Sequence, residues 1–305
     1  MNYLPPDIII IMINAEKPNL SSPNDNPWLK ESLFDDVERT LKTNLPELPT
    51  DSPDSTCKFY LRQIKRSNRL PDLQEYLGEA LANQPKTYSS VEEYLVDNPN
   101  YNQEINARLS QEEKDSILQY SGYKYAWINS VERGFWDYEK LGRKTFEAEA
   151  EIKNTADAID AAIIKSPTPN QSFITFRGTN LDGFRNYGIN NLSDLAKMKG
   201  QFMLERGFTS TSMLSEQSFV GNDYNDNPLR DKTNIEIRYQ IPPQSRDTIA
   251  LTDQSLSYSP KQAEVLINRN SLSYISNVSQ GEDGHYILNA ILVPHAVYEP
   301  ELFED

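Results

Sequence analysis

The amino-acid sequence predicts an α+β protein in which a helix-rich half precedes a strand-rich half. Up to residue 165, apolar residues recur at helical spacing and are accompanied by capping residues and an alanine-rich run. After the Ser/Pro-rich break at 166–170, the pattern changes to short runs of β-branched and aromatic residues, which are typical of strands. Helices and strands that are segregated along one chain indicate an α+β arrangement.

Composition narrows the possible functions. The chain has 305 residues, of which 37% are hydrophobic, and a formal net charge of −15. This length allows one large domain or two modest ones. The acidic balance argues against a nucleic-acid-binding protein, so no such partner is expected. The single cysteine, Cys57, excludes an internal disulfide and a cysteine-based zinc cluster, and two histidines are too few for a His-rich metal site.

The N-terminal region, residues 1–104, is predicted to be mostly helical, and its role is unknown. The apolar run at 8–13 is too short to span a membrane, and no basic segment precedes it. We therefore expect neither a membrane span nor a cleaved signal peptide. The expected elements are a strand at 8–13 and helices at 27–41, 58–81 (broken near Pro71) and 90–96.

Two further segments of the helical half carry local signals. Ser110 and Glu113 have the spacing of a capping box and predict a helix that begins there. If the second half of 120–133 is helical, Asn129 and Arg133 share a face. The alternative for that pair is an ordinary surface turn, and spacing alone does not decide between them.

The remaining predicted elements combine polar side chains with strand ends. Arg177 and Gly178 follow the first strand; a guanidinium binds phosphate oxygens as a fork, and glycine lets a planar ligand approach the backbone. The hydroxyls of a later strand are suited to hold a neighbouring carboxylate in one rotamer. The elements are a helix at 155–165 and strands at 172–176, 207–212, 234–241, 263–268, 271–278 and 285–293.

Gln262 and Glu264 stand where a Ser/Pro turn runs into one of these strands. Because side chains alternate along a strand, both are predicted to point the same way, with Ala263 reversed. A glutamate over a ribose accepts hydrogen bonds from its hydroxyls and stabilises positive charge at the anomeric carbon. Together, this glutamate, the arginine at the end of the first strand and the hydroxyl-rich strand suit the cleavage of a glycosidic bond to a cationic leaving group. Here that leaving group would be nicotinamide.

Each of these residues also has an ordinary structural interpretation. Arg177 could be a salt-bridged strand end, Ser210 part of a half-exposed strand, and Glu264 a solvated strand residue. The order of these residues along the chain, taken together, is a more specific signal than any one of them. Arg177, Ser210 and Gln262-x-Glu264 resemble the Arg-Ser-Glu signature of the mono-ADP-ribosyltransferase toxins and effectors, and most closely the clostridial Rho-modifying exoenzymes, over about 105–295.

The resemblance implies an ADP-ribosyltransferase fold, with two packed antiparallel sheets around an NAD cleft and flanking helices, in a catalytic domain at 105–305. NAD would be the substrate, and no metal would be needed. On the NAD side, Arg177 would hold the phosphates, the Gly178 backbone would meet the nicotinamide amide, and Phe219 would lie against the nicotinamide. Asn129 and Arg133 would contact the phosphate on the adenosine side.

On the catalytic side, the resemblance implies that Ser210 orients Glu264, and that the turn carrying Tyr258 and Gln262 recognises the acceptor protein. Asn222 stands where the branch commonly has arginine, so a phosphate contact from that position must come from elsewhere, with Arg230 as a candidate. Tyr258 lies one residue farther from the glutamine than usual, and this leaves the acceptor open. Since Gln262 is neutral and both donates and accepts hydrogen bonds, it favours Asn or Gln acceptors slightly over arginine.

The sequence therefore predicts an NAD-dependent protein mono-ADP-ribosyltransferase, a bacterial effector or toxin that modifies a host protein. The alternatives are an NAD glycohydrolase, in which water is the acceptor, and a non-catalytic module that binds NAD or a partner. We expect secretion without a cleaved signal peptide into the host cytosol; an enzyme of the bacterial cytoplasm is the alternative.

Overall fold

The structure is a computed structural model that describes Phe59, Leu61 and the ranges 69–134, 145–218, 234–281 and 284–298. The predicted strand at 8–13 and helix at 27–41 lie outside these residues, as does most of 58–68. Within the described ranges, no helix is both long and apolar enough to cross a membrane.

The helices largely follow the predicted pattern. The predicted break near Pro71 is confirmed: Phe59 and Leu61 are helical, Arg69 is not, and α1 begins at Leu70 with Pro71 in its first turn, where proline is tolerated. The capping box is confirmed: Ser110 Oγ accepts from Glu113 N at 3.2 Å, and Glu113 Oε2 accepts from Ser110 N at 2.7 Å. The helices are α1 (Leu70–Ala82), α2 (Val91–Asp97), α3 (Tyr101–Arg108), α4 (Gln111–Gln119), α5 (Tyr125–Glu132), α6 (Thr145–Lys165) and α7 (His295–Tyr298).

A single π-helical turn, Tyr120–Lys124, connects α4 to α5 without a break. Such turns are wider than an α-helical turn and shift the side chains that follow to a new angle. The helical alternative for the second half of 120–133 is confirmed, since α5 covers most of it and Arg133 is its C-cap. Asn129 and Arg133 therefore lie one turn apart on the same side.

All six predicted strands are confirmed, with their ends shifted by a few residues. The strands are β1 (Phe173–Thr179), β2 (Phe202–Glu205), β3 (Thr209–Ser212), β4 (Ile235–Ile241), β5 (Thr248–Ala250), β6 (Glu264–Ile267), β7 (Ser271–Gln280) and β8 (Tyr286–Val293). They form an 8-stranded sheet in the order β2-β7-β8-β4-β1-β3-β6-β5.

The α+β class is confirmed, but the sheet differs from the predicted pair of antiparallel sheets. β4 and β8 are parallel, and all the described strands belong to one hydrogen-bonded sheet. β1 and β3 pair only at Phe176 and Ser212, whereas β1 pairs with β4 along its whole length. The sheet thus has two parts, β2-β7-β8-β4-β1 and β3-β6-β5, which meet at one residue pair.

Two hydrophobic clusters cover the two faces of the sheet. In the larger cluster, the helices from α2 through α6 pack against one face of the sheet. The smaller one places α1 on the opposite face, because Leu73 and Leu77, both fully buried, pack with alternate residues of β2, β7 and β8. Burying one leucine contributes about 1.5–3 kcal/mol, so α1 is firmly attached to the sheet.

Candidate active site

A cleft of about 720 Å³ opens between α5 and the sheet, where the two parts of the sheet meet. Phe219 lies outside the described residues, and Tyr258 lies at the mouth, beside cleft residues Ser259 and Gln262. The other predicted site residues line the cleft: Asn129, Arg133, Arg177, Gly178, Ser210, Gln262 and Glu264. The fold therefore brings together side chains that are far apart in sequence.

Glu264 is the first residue of β6 and pairs with Ser212 of β3. Burial in the cleft raises the pKa of its carboxyl, while a hydrogen bond from Ser210 and the nearby charge of Arg177 both lower that pKa. The last two interactions favour the ionised form. Ser210 and Arg177 thus keep a partly buried carboxylate available for a developing positive charge.

The predicted common direction of Gln262 and Glu264, with Ala263 reversed, is confirmed, because both line the cleft while Ala263 is buried; the predicted cause, strand alternation, is wrong. Gln262 ends a short 3₁₀ turn, and Ala263 takes a left-handed conformation with φ of 50° before β6 begins. Ala263 is fully buried, and Ser212 Oγ donates to the Gln262 carbonyl at 2.7 Å. A tight turn that is fixed to the core and to β3, not a strand, brings both side chains to the cleft.

Arg177 bridges the gap between the two parts of the sheet. It lies on β1, and its Nη1 donates to the backbone carbonyl of Ser210 on β3 at 3.0 Å. A guanidinium carries five N–H groups, and this bond uses one of them. The backbone N–H of Gly178 donates to the Ser218 carbonyl at 2.5 Å, which ties the end of β1 to the loop after β3.

Tyr120 is a site residue that sequence analysis missed. Its hydroxyl accepts from Asn129 Nδ2 at 3.0 Å and lies 3.4 Å from Ser210 Oγ. In an uninterrupted α-helix, residues nine apart lie on opposite faces, so their spacing provides no reason to pair Tyr120 with Asn129. The π-helical turn between them changes that angle. The one available signal was that a buried tyrosine hydroxyl requires a partner.

Close packing of the chain fixes Asn129. A Cβ on Gly207 would lie 2.5 Å from Asn129 Oδ1, so only glycine fits at that position. Asn129 Oδ1 is buried and has no hydrogen-bond partner among the described residues. A buried amide oxygen without a partner is costly, so the packing against Gly207 holds Asn129 in place at the expense of that hydrogen bond.

A smaller cavity of about 340 Å³ continues from the main cleft. Arg133 and Arg177 line both cavities, whereas Asp182, Tyr187 and Glu205 line the smaller one. Arg133 also pairs with Glu205 at 3.6 Å. Two guanidinium groups therefore stand at the junction of the two cavities.

This arrangement is that of an ADP-ribosyltransferase. The fold matches C3stau2 from S. aureus, solved with NAD, at a TM-score of 0.53 and 20% identity over 70% of this chain and 100% of that one. It also matches the Clostridium limosum C3 exoenzyme at a TM-score of 0.50 and 22% identity; the match covers 70% of this chain and 98% of that one. A third match is an ADP-ribosyltransferase from Clostridium botulinum, at a TM-score of 0.50 and 22% identity; it covers 69% of this chain and 99% of that one.

At these identities the structural matches concern the fold alone; the family follows from sequence. The model of the ADP-ribosyltransferase exoenzyme family matches residues 97–293, and the chain belongs to this family. It is an NAD-dependent mono-ADP-ribosyltransferase, and NAD is its substrate. No curated protein matches the chain by sequence. No group of three or more potential metal ligands occurs among the described residues.

Proposed function

We propose that the chain transfers the ADP-ribose part of NAD to a side chain of a host protein. The observation that carries this proposal is the convergence of Arg177, Ser210 and Glu264 in one cleft. They come from the neighbouring strands β1, β3 and β6, so the backbone ladder fixes their mutual positions. An arginine for phosphate beside an oriented carboxylate suits the cleavage of NAD.

The two joined cavities suit the two halves of NAD. Arg133 and Arg177 stand at the junction, where they would bind the diphosphate. The nicotinamide half would then occupy the larger cavity, with its amide at Gly178 and with Phe219 against its ring. The adenosine half would occupy the smaller cavity, and Asn129, which lines the larger cavity beside Arg133, would donate from its amide nitrogen to the phosphate at the junction.

The reaction breaks the bond between the ribose anomeric carbon and the nicotinamide nitrogen. The bonding electrons leave with nicotinamide, which becomes neutral, and the sugar becomes an oxocarbenium ion. The Glu264 carboxylate accepts a hydrogen bond from a ribose hydroxyl and stabilises this charge. Ser210 holds the carboxylate in place. The acceptor nitrogen then attacks the anomeric carbon and releases one proton to solvent.

Gln262 and Tyr258 form the acceptor side. Gln262 is neutral, so it pairs with a carboxamide more readily than with a guanidinium, which favours Asn or Gln as the modified residue. We expect Gln262→Glu to shift modification toward arginine, because a carboxylate binds a guanidinium and assists its deprotonation. Mass spectrometry of the modified peptides would show this; unchanged acceptor chemistry would contradict the role of Gln262.

We further propose residues 105–305 as the catalytic unit and residues 1–104 as an N-terminal extension, of which α1 braces the sheet. Membership of an exoenzyme family supports secretion into the host cytosol, with the bacterial cytoplasm as the alternative.

The first test is incubation with labelled NAD and a eukaryotic lysate. We expect a discrete labelled protein band that Glu264→Gln abolishes, since the amide keeps the shape of the carboxylate without its charge. Glu216→Gln is the matched control, because Glu216 is exposed and outside the cleft. Nicotinamide release without protein labelling, in eukaryotic and bacterial lysates alike, would indicate a glycohydrolase. No NAD consumption at all would indicate a non-catalytic binding module.

A further inference from the structure

The turn that carries Tyr258 contacts the opposite wall of the cleft at Gly122. Gly122 is the middle residue of the π-helical turn. A Cβ built on Gly122 would lie 2.7 Å from Cε2 and 2.9 Å from Cδ2 of Tyr258. Such distances do not occur for real side chains, so the Tyr258 ring lies directly on the glycine, in space that any other residue would fill.

The rest of the Tyr258 side chain is free to meet a partner. It is 62% exposed although one side of the ring rests on Gly122. The backbone on both sides of it is held: Leu256 and Ser257 are buried, and Ser257 Oγ accepts from Ser259 N at 3.0 Å. The turn is therefore anchored, and the contact with Gly122 selects the direction of the ring.

We propose that Gly122 is a positioning residue for the protein acceptor, which it serves by holding the Tyr258 ring at the mouth of the cleft. This inference rests on the proposed transfer to a protein. A fixed aromatic ring loses less conformational entropy on binding than a mobile one, so it docks an acceptor more effectively. The ring also stands beside Ser259 and Gln262, which line the cleft where the acceptor side chain must enter.

The size of the effect follows from the geometry. To bring a Cβ from 2.7 Å to an ordinary contact of 3.4 Å, the ring must move by roughly 0.7 Å or rotate away. A misplacement of about 1 Å at a reacting group can cost about a hundredfold in rate. We therefore expect Gly122→Ala to lower the ratio of labelled protein to released nicotinamide by about tenfold or more. Folding is expected to survive, because alanine is favoured over glycine in helices by about 1 kcal/mol.

The decisive measurement compares Gly122→Ala in the native chain and in a Tyr258→Ala background. If Gly122 acts through the ring, the substitution has no further effect once the ring is gone, because the two changes remove the same contact. Tyr258→Phe keeps the ring and is expected to keep the response to Gly122→Ala. An equal effect of Gly122→Ala in both backgrounds would overturn the proposal, since Gly122 would then act on NAD or on the helix itself.

A second measurement needs no acceptor. In protein labelled with 3-fluorotyrosine, the fluorine resonance of Tyr258 is the one that Tyr258→Phe removes. We expect Gly122→Ala to move this resonance toward that of a solvated tyrosine; an unmoved resonance would overturn the proposal. If the resonance moves but the native chain releases nicotinamide without labelling any protein, then the contact exists and the transferase function has failed, which also overturns the acceptor role.

Discussion

At the level of single residues, the chemistry depends on Glu264. Its carboxyl is partly buried at the start of β6, and this burial raises its pKa above the ordinary value of 4.5. Ser210 and Arg177 oppose that rise by stabilising the charge. The active form is the carboxylate, because only a negative group stabilises an oxocarbenium ion. NAD cleavage should therefore decline as the pH falls through the raised pKa of Glu264.

Ser210→Ala tests this balance. Without the Ser210 hydrogen bond the pKa of Glu264 rises further, so the acidic limb of the pH–rate profile should move to higher pH. Ser212→Ala is the matched control on the same strand, because its hydroxyl donates to the Gln262 carbonyl instead. The profile of nicotinamide release against pH measures both. A limb that stays in place in Ser210→Ala, or moves equally in both variants, would contradict this role.

The residues of the site could be predicted from the sequence better than their geometry. The order of Arg177, Ser210 and Glu264 carries the family resemblance, and that resemblance predicted one common cleft for them. The left-handed conformation of Ala263 was not visible, since alanine rarely adopts it and nothing local requires it. Burial of Ala263 in the core imposes it, and that depends on contacts distant in sequence.

At the level of elements, Arg269 links the end of β6 to the helices α5 and α6 through ion pairs. It follows β6 and forms ion pairs with Glu132 of α5 at 2.8 Å and with Asp157 of α6 at 2.5 Å, and a further pair with Asp160 of α6. Desolvation raises the pKa of Asp160 to about 6 despite the favourable charge of Arg269. The strand that begins with Glu264 is thus fixed at its other end to the helix that carries Asn129.

Arg269→Ala should lower the unfolding free energy by about 3–5 kcal/mol at neutral pH, because it leaves buried carboxylates without their partner. The loss should grow as the pH rises through 6 and above. Without the arginine the pKa of Asp160 rises further, so the folded variant holds a proton there that the unfolded chain has already released. Its stability therefore falls with pH in that window. Denaturant unfolding at several pH values measures this.

Arg269→Lys keeps the charge and should recover part of the stability lost in Arg269→Ala, but not the forked geometry. Asp157→Asn is the control for an exposed partner, whose side chain is 67% accessible, and should cost much less. A loss in Arg269→Ala that does not depend on pH would show that packing, rather than charge, fastens the elements.

The elements that sequence analysis missed are those with the weakest local signals. β2 and β5 span four and three residues, too short for a pattern of alternation to stand out. α3 has two buried apolar residues, Tyr101 and Ile105, in an otherwise polar stretch. In each case contacts with the rest of the sheet or core, not local preference, decide the structure.

At the level of the whole molecule, the sheet is covered on both faces at β2, β7 and β8, where α1 packs on the face away from the main helical layer. α1 lies before residue 97, where the match to the family model begins. Arg69 strengthens the attachment by donating from Nη1 to the Ala296 carbonyl at 2.8 Å. α1 should therefore unfold together with the catalytic sheet.

Leu77→Ala tests this. Leu77 is fully buried, so the truncation should cost about 2–5 kcal/mol and shift one common unfolding transition. Leu81→Ala in the same helix is the matched control, because Leu81 is 38% exposed, and it should cost far less. Unfolding followed by circular dichroism and by nicotinamide release would give coincident curves. A separate early transition for α1 would show that it is an independent unit.

The single residue pair between β1 and β3 also has a mechanical consequence. A backbone ladder resists bending because many hydrogen bonds would have to change together. Between β1 and β3 that resistance falls to one residue pair, supplemented by the Arg177 side chain and by the bond from Gly178 N–H to the Ser218 carbonyl. The sheet therefore has a crease, with the arginine strand on one side and the glutamate strand on the other. A dinucleotide bound across the crease would hold the two sides at a fixed angle, so the substrate itself would complete the rigidity of the enzyme.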